Sequence, residues 1–84
     1  MSAPSAETMA AVAVEHYEGL LRLYGAEVGI RHARKHLAAY ADGAIEAGFA
    51  VDPAERLALV TSEEPRAVVA GLRRVFARPM RDAA

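Results

Sequence analysis

The sequence contains no cysteine, and no apolar run approaches the roughly 18 residues that a membrane-spanning helix needs. The missing cysteine excludes disulfides, thiolate metal ligands and a cysteine nucleophile within this chain. It also fits a reducing compartment, and we expect a cytoplasmic protein with no membrane partner. The 84 residues suffice for one domain with a modest core, because a chain of this size buries only about 60–65% of the surface that it exposes when unfolded.

The sequence has no excess of positive charge either, since it contains ten Lys and Arg residues and eleven Asp and Glu residues. The charges are nevertheless segregated along the chain. Residues 1–30 carry −3, residues 31–36 carry +3, residues 37–64 carry −5 and residues 65–84 carry +4. Such segregation can create a positive face that attracts an anionic partner, even at a net charge of −1. A set of solvated helix faces would give the same pattern, so charge alone leaves both interpretations open.

Proline and glycine divide the sequence into four segments whose apolar residues recur at helical spacing. The first helix is predicted over about 6–24, because Ser5 can cap its start and Gly25 suits its end. The second is predicted over about 26–42, with Gly43 loosening the chain beyond it.

The second half of the chain contains two helix start signals. The motif DPAE predicts a short third helix, because Asp52 can cap it, Pro53 suits its first position and Glu55 can complete a capping box. Pro65 would begin the last helix, and Pro79 would end it near residue 77. No useful strand-like alternation competes, so we predict an all-α fold, a small bundle of about four helices with a short third helix.

The apolar stripes of these helices predict the core. The side chains expected to be largely buried are Leu20, Leu21, Leu37, Leu57, Val69, Leu72 and Phe76. Tyr17, Tyr24 and Tyr40 lie on the same stripes, so we expect them in the core rather than as platforms for nucleobases.

The sequence offers no catalytic constellation. No nucleophile is paired with a base, and no glycine-rich loop could cradle a phosphate, so we expect neither catalytic nor cofactor-binding residues. His32 and His36 are four residues apart, which is the spacing of zinc ligands on a helix. Further ligands are not apparent in the sequence, and we therefore expect ordinary surface or boundary histidines and no metal site.

The segment RHARKH, residues 31–36, is the densest positive cluster in the sequence. Helical spacing places Arg31, Arg34 and Lys35 on one face, where Glu27 can offset only the first of them. An unneutralised cationic stripe is what a phosphate backbone requires, although a solvated face remains the alternative. Charge alone adds weaker candidates in and after the last helix, namely Arg66, Arg73, Arg74 and Arg78.

The stretch HYEGLLRLYGAEVGIRHARKHLAAYADG, residues 16–43, resembles the start of the C-terminal helical domain of bacterial tRNA-dihydrouridine synthases of the B-type, nitrogen-regulation-associated subfamily. The matching residues are Tyr24-Gly25, Glu27-Val28-Gly29 and Ala33-Arg34-Lys35-His36, with Tyr40 after them. The tail TSEEPRAVVAGLRRVF, residues 61–76, is similar to the family's last helix. One departure is Ala38-Ala39, where the family usually has Gly-Trp.

The resemblance implies a tRNA-binding domain of an enzyme that uses FMN and NADPH to reduce uridines in tRNA to dihydrouridine. In that family a separate N-terminal barrel holds the flavin and a catalytic cysteine, and the helical domain helps to grip the tRNA. We therefore expect residues 1–84 to be a single helical domain excised from such an enzyme, with no activity and no cofactor of its own.

The partners that the resemblance implies are tRNA and the FMN-binding barrel of the same enzyme. The matching run carries RNA binding over to Arg34, Lys35 and His36, and the shared helix face adds Arg31. The residues by themselves leave a second class of protein open. That alternative is a stand-alone helical adaptor whose basic face binds an acidic protein.

Overall fold

The computed structural model describes residues 5–77, which form a small bundle of four α-helices. These are α1 (Ala6–Tyr24), α2 (Ala26–Glu46), α3 (Pro53–Thr61) and α4 (Pro65–Ala77). No β-strand occurs in this part of the chain, so the predicted all-α fold with a short third helix is confirmed. None of the helices within it is long and apolar enough to cross a bilayer.

The first helix begins and ends where its local signals predict. The Thr8 amide donates a hydrogen bond of 3.1 Å to the Ser5 hydroxyl, which caps the start of α1. At the other end the Gly25 amide donates to the Leu21 carbonyl at 2.8 Å. Gly25 has φ 83°, a conformation that side chains with a Cβ rarely adopt. Because α2 begins at the next residue, this one glycine makes the whole connection between α1 and α2.

The predicted capping box of α3 is also confirmed. The Asp52 carboxylate accepts a hydrogen bond of 2.8 Å from the Ala54 amide, and the Asp52 amide donates to the Glu55 carboxylate at 3.1 Å. Each bond satisfies an amide that the first turn of a helix leaves without a partner. Pro65 begins α4 as predicted, whereas Pro79 lies outside the described residues.

The second helix is longer than predicted. It continues to Glu46, one turn beyond the expected end near residue 42, and Gly43 lies inside it. Ala44, which follows Gly43 in the added turn, is 1% exposed, and Ala41 just before this turn is 0% exposed. Packing of this turn against the core therefore outweighs the roughly 1 kcal/mol that a glycine costs inside a helix.

The core lies where α1 and α3 pack against α2 and α4. α1 contacts α2 and α4, and α3 contacts the same two helices without touching α1. The buried residues that form this core are Ala13, Val14, Tyr17, Ala33, Leu37, Ala41, Ala44, Leu59, Val68, Leu72, Val75 and Phe76.

Three of the predicted core residues, Leu37, Leu72 and Phe76, are buried as expected. Three others are half-buried at the edge of the core, namely Leu20, Leu21 and Val69. The prediction for Leu57 is wrong, because this side chain is 60% exposed. Leu59 makes the buried contact of α3 instead, and residues two apart on a helix lie on different faces.

The three tyrosines have different environments, although all were predicted in the core. Tyr17 is 2% exposed, and burial together with the nearby Glu64 carboxylate raises the pKa of its phenol above 10.0. Tyr40 is half-buried. The prediction for Tyr24 is wrong, since this residue is 45% exposed at the end of α1, where its ring packs on His32 rather than in the core.

Candidate nucleic-acid interface

The cationic face consists of Arg31, Arg34 and Lys35, which α2 presents at spacings of three and four residues. Arg31 and Lys35 are exposed, and Arg34 is half-buried. Within residues 5–77 none of the three forms an ion pair with a carboxylate. The face therefore carries three positive charges that are available to an anionic partner.

A carboxylate distant in sequence also lies beside the cationic face. Arg31 and Arg34 line a groove together with Glu27 of α2 and Glu63 of the connection between α3 and α4. The Nε of Arg34 is buried there and has no hydrogen-bond partner among residues 5–77. The pattern of α2 alone does not indicate Glu63, because only the packing of the bundle brings this residue to α2.

The arginines predicted on the last helix do not join the cationic face. Arg66 and Arg73 are exposed and line a separate groove between α1 and α4. Arg74 points towards α3, where its Nε lies 3.6 Å from a carboxylate oxygen of Glu55. Arg78 lies outside the described residues.

The structure also separates His36 from the cationic face. Its ring lies at the seam between α1 and α2, with its centroid 4.7 Å from that of His16. Burial, followed by the positive charges of His16, Lys35 and His32, holds the pKa of His36 below its ordinary value of 6.5. The six residues RHARKH thus contribute to two surfaces, the cationic face and the seam with α1, because His36 projects from a different side of α2 than Arg34.

A row of five rings follows this seam. His32, His36 and Tyr40 recur every four residues along one edge of α2. From α1, Tyr24 stacks on His32 with a centroid distance of 4.3 Å and an interplanar angle of 17°. His16 contacts the ring of His36 and shares a hydrogen bond of 3.0 Å with the Tyr40 hydroxyl through Nδ1. We call these five residues the ring row; it is exposed at Tyr24 and His32 and half-buried at the other end.

The sequence alone did not predict the ring row. The four-residue spacing of His32, His36 and Tyr40 was a signal that could have indicated its α2 edge. Nothing in the sequence showed that Tyr24 and His16 of α1 would meet that edge, because this depends on how the two helices pack.

The described residues contain no group of three or more His, Asp or Glu side chains that could hold a metal ion. His32 and His36 contact different aromatic partners, Tyr24 and His16. The expectation that the two histidines hold no zinc stays a prediction.

Comparison with known proteins gives matches among curated sequences. A protein of Rhizobium leguminosarum bv. phaseoli with the name "Probable tRNA-dihydrouridine synthase" is 44% identical over 69 residues, which cover 82% of this chain and 21% of that protein. A protein of the same name from Rhodobacter capsulatus is 44% identical over 64 residues, covering 70% of this chain and 20% of that protein. A third, from Rickettsia conorii, is 45% identical over 42 residues, covering 50% and 13%. No family model and no solved structure matches the chain.

The fold and the surface define a small all-helical domain with a cationic face beside a row of rings. The sequence matches identify the chain further as a domain related to the tRNA-dihydrouridine synthases. It spans about a fifth of the length of the first two curated relatives. The family resemblance seen in the Glu-Val-Gly and Ala-Arg-Lys-His motifs is thereby confirmed.

Proposed function

We propose that this chain is a tRNA-binding domain of a tRNA-dihydrouridine synthase, and that its cationic face binds the phosphate backbone of the tRNA. The observation that carries the proposal is the grouping of Arg31, Arg34 and Lys35 on one side of α2, without ion pairs to carboxylates within residues 5–77. The relatives support the choice of ligand, since their name specifies tRNA.

In this proposal the domain is not an enzyme by itself. Flavin-dependent reduction of uridine, with FMN and NADPH, would belong to a barrel domain of the same enzyme, which is the second proposed partner. The length of the relatives supports this division, because about four-fifths of the first two lie outside the match. The proposed location of the parent enzyme is the cytoplasm, where tRNA is modified.

The electrostatics favour weak binding by the isolated domain. Glu27 and Glu63 lie beside two of the three cations, and the chain as a whole has a net charge of −1. A contact of about three phosphates gives affinities in the non-specific range of about 10⁻⁴ to 10⁻⁶ M at physiological salt. In a whole enzyme the covalent link to a barrel that holds the same tRNA would raise the effective concentration of this second contact.

A second candidate function is a helical adaptor that binds another protein. A groove of about 370 Å³, lined mainly by apolar side chains that include Met9, Val12, Tyr40 and Phe76, favours it. Val12 is 56% exposed in this groove, and an exposed apolar surface is typical of a protein contact.

The test is a titration of labelled tRNA with the isolated domain, in competition with heparin and with unlabelled tRNA. A tRNA-binding domain is expected to release labelled tRNA more readily to unlabelled tRNA than to heparin at equal charge concentration. Equal displacement of labelled tRNA by heparin and by unlabelled tRNA would mean that the cationic face binds polyanions in general. No binding of tRNA at all would favour the adaptor.

A further inference from the structure

The exposed end of the ring row consists of two parallel aromatic rings at the surface. Tyr24 and His32 stack with centroids 4.3 Å apart, and both residues are exposed. Each ring covers one face of the other, and Tyr24 keeps 45% of its surface exposed, so part of this aromatic surface is accessible to a ligand. Tyr24 does not belong to the hydrophobic core or to the residues packed against its edge. Its aromatic surface therefore contributes little to the packing of the bundle.

The backbone around the pair holds it in place. Tyr24 is the last residue of α1, and Gly25, with φ 83°, is the only residue before α2 begins. The close approach of Gly29 to the backbone of Leu20 fixes α2 against α1 one turn further on. Both rings are thus attached to helical backbone, and a ligand that stacks on them need not order a loop first.

The stacked pair also adjoins the cationic face. His32 follows Arg31 directly and lies three residues before Lys35, so it shares a side of the helix with Lys35. A ring surface beside a cation is the arrangement by which proteins hold unpaired nucleotides. The cation binds the phosphate, and the ring stacks on the base.

We infer that Tyr24 and His32 form a stacking platform for an unpaired nucleobase of the RNA whose phosphates lie on the cationic face. The inference rests on the proposed function and deepens it. It adds that the bound RNA contains unpaired nucleotides, which phosphate contacts alone cannot distinguish from paired ones. A domain with such a platform prefers loops and single strands over continuous duplex. Any of the four bases can stack, so the platform selects unpaired structure rather than sequence.

The experiment compares two labelled RNAs, a single-stranded oligoadenylate and a fully paired duplex of the same length, in anisotropy titrations. The variants are Tyr24→Leu, which removes the ring, and Tyr24→Phe, which keeps it. Leu23→Ala is the matched control, because Leu23 is the adjacent residue and is 72% exposed. Far-UV circular dichroism verifies that each variant is folded.

Tyr24→Leu is expected to weaken binding of the oligoadenylate by about 5- to 100-fold, which corresponds to the loss of one stacked base. Its duplex binding and its salt dependence should remain those of the wild type, because no charge is removed. Tyr24→Phe and Leu23→Ala should bind both RNAs within about twofold of the wild type, since stacking requires only the ring.

Two results would overturn the platform while leaving the proposed function intact. The first is unchanged oligoadenylate binding by Tyr24→Leu, and the second is an equal loss on both RNAs. A wild-type domain that binds neither of these RNAs nor tRNA would overturn the proposed function and the platform together. The exposed pair would then be a candidate contact for a protein.

Discussion

Gly29 of α2 lies directly against the backbone of Leu20 in α1. A Cβ at position 29 would be 2.8 Å from the carbonyl oxygen of Leu20 and 2.9 Å from the Cα of Leu21. Real Cβ atoms do not approach backbone this closely, so only glycine allows the two helices this contact. The glycine of the Glu-Val-Gly motif therefore determines how closely α1 and α2 pack, and with it the position of the ring row.

The first prediction concerns this contact. Gly29→Ala is expected to lower the free energy of unfolding by about 1–3 kcal/mol, because the added methyl group meets backbone atoms that cannot move aside. Gly43→Ala is the matched control within the same helix, since a Cβ there has nothing within 4 Å. The control should raise stability by about 0.5–1 kcal/mol through its better helix propensity. Urea denaturation followed by circular dichroism measures both, and a shift of the same sign in the two variants would contradict the packing explanation.

The second prediction concerns the cationic face. In the proposed function, Arg34→Glu combined with Lys35→Glu should abolish tRNA binding, because two of the three phosphate contacts become repulsive. For the wild type, three contacts predict a slope of about −2 to −3 in a plot of log affinity against log salt concentration. Titration of labelled tRNA at several salt concentrations measures the affinity and the slope.

A charge reversal elsewhere provides the control for that experiment. Arg22 is exposed in the last turn of α1 and lines neither groove that contains the predicted arginines. Arg22→Glu should retain most of the tRNA affinity, whereas the matching single change Lys35→Glu should lose about tenfold. Equal losses in these two variants would indicate a response to net charge, not a defined face.

The third prediction follows from the lowered pKa of His36. Because the folded state disfavours its imidazolium, the unfolded chain takes up the proton first as the pH falls below 6.5. The free energy of unfolding therefore has its full value, as far as His36 is concerned, above this pH, and it decreases progressively below it. The positive groups that oppose the proton are His16 on α1, and His32 and Lys35 on α2.

Urea denaturation at about pH 7.5 and pH 5.5 tests this, because carboxylates change little in that interval. The wild type should lose stability towards pH 5.5, and His36→Gln should lose less. The same pH dependence in both proteins would mean that other groups are responsible.

The fourth prediction concerns the start of α3. Asp52→Ala should lower the free energy of unfolding by about 1 kcal/mol, because it leaves the Ala54 amide without its acceptor. Asp52→Asn should lose much less, since its amide oxygen can accept the same hydrogen bond. Thermal unfolding of the two variants separates the cap from a general effect of changing residue 52, and equal losses would argue against the cap.

The sequence by itself determined the features that depend on neighbouring residues. Ser5, Asp52 and Pro65 mark helix starts because each acts on backbone groups within its own first turn. The grouping of Arg31 with Lys35 likewise follows from the geometry of one helix. Such features need no knowledge of the rest of the chain.

Only the tertiary structure decided which side chains are buried between helices and which remain exposed. Leu57 and Tyr24 are apolar or aromatic residues at helical spacing, yet neither is buried in the bundle. Leu57 is 60% exposed, and Tyr24 is 45% exposed although its ring stacks on His32 of α2. His36 belongs to the same six-residue cluster as Arg34, yet α1 covers its side of α2 and places it beside His16. Burial depends on which helices meet and at which faces, and the periodicity of a single helix contains no information about its partner.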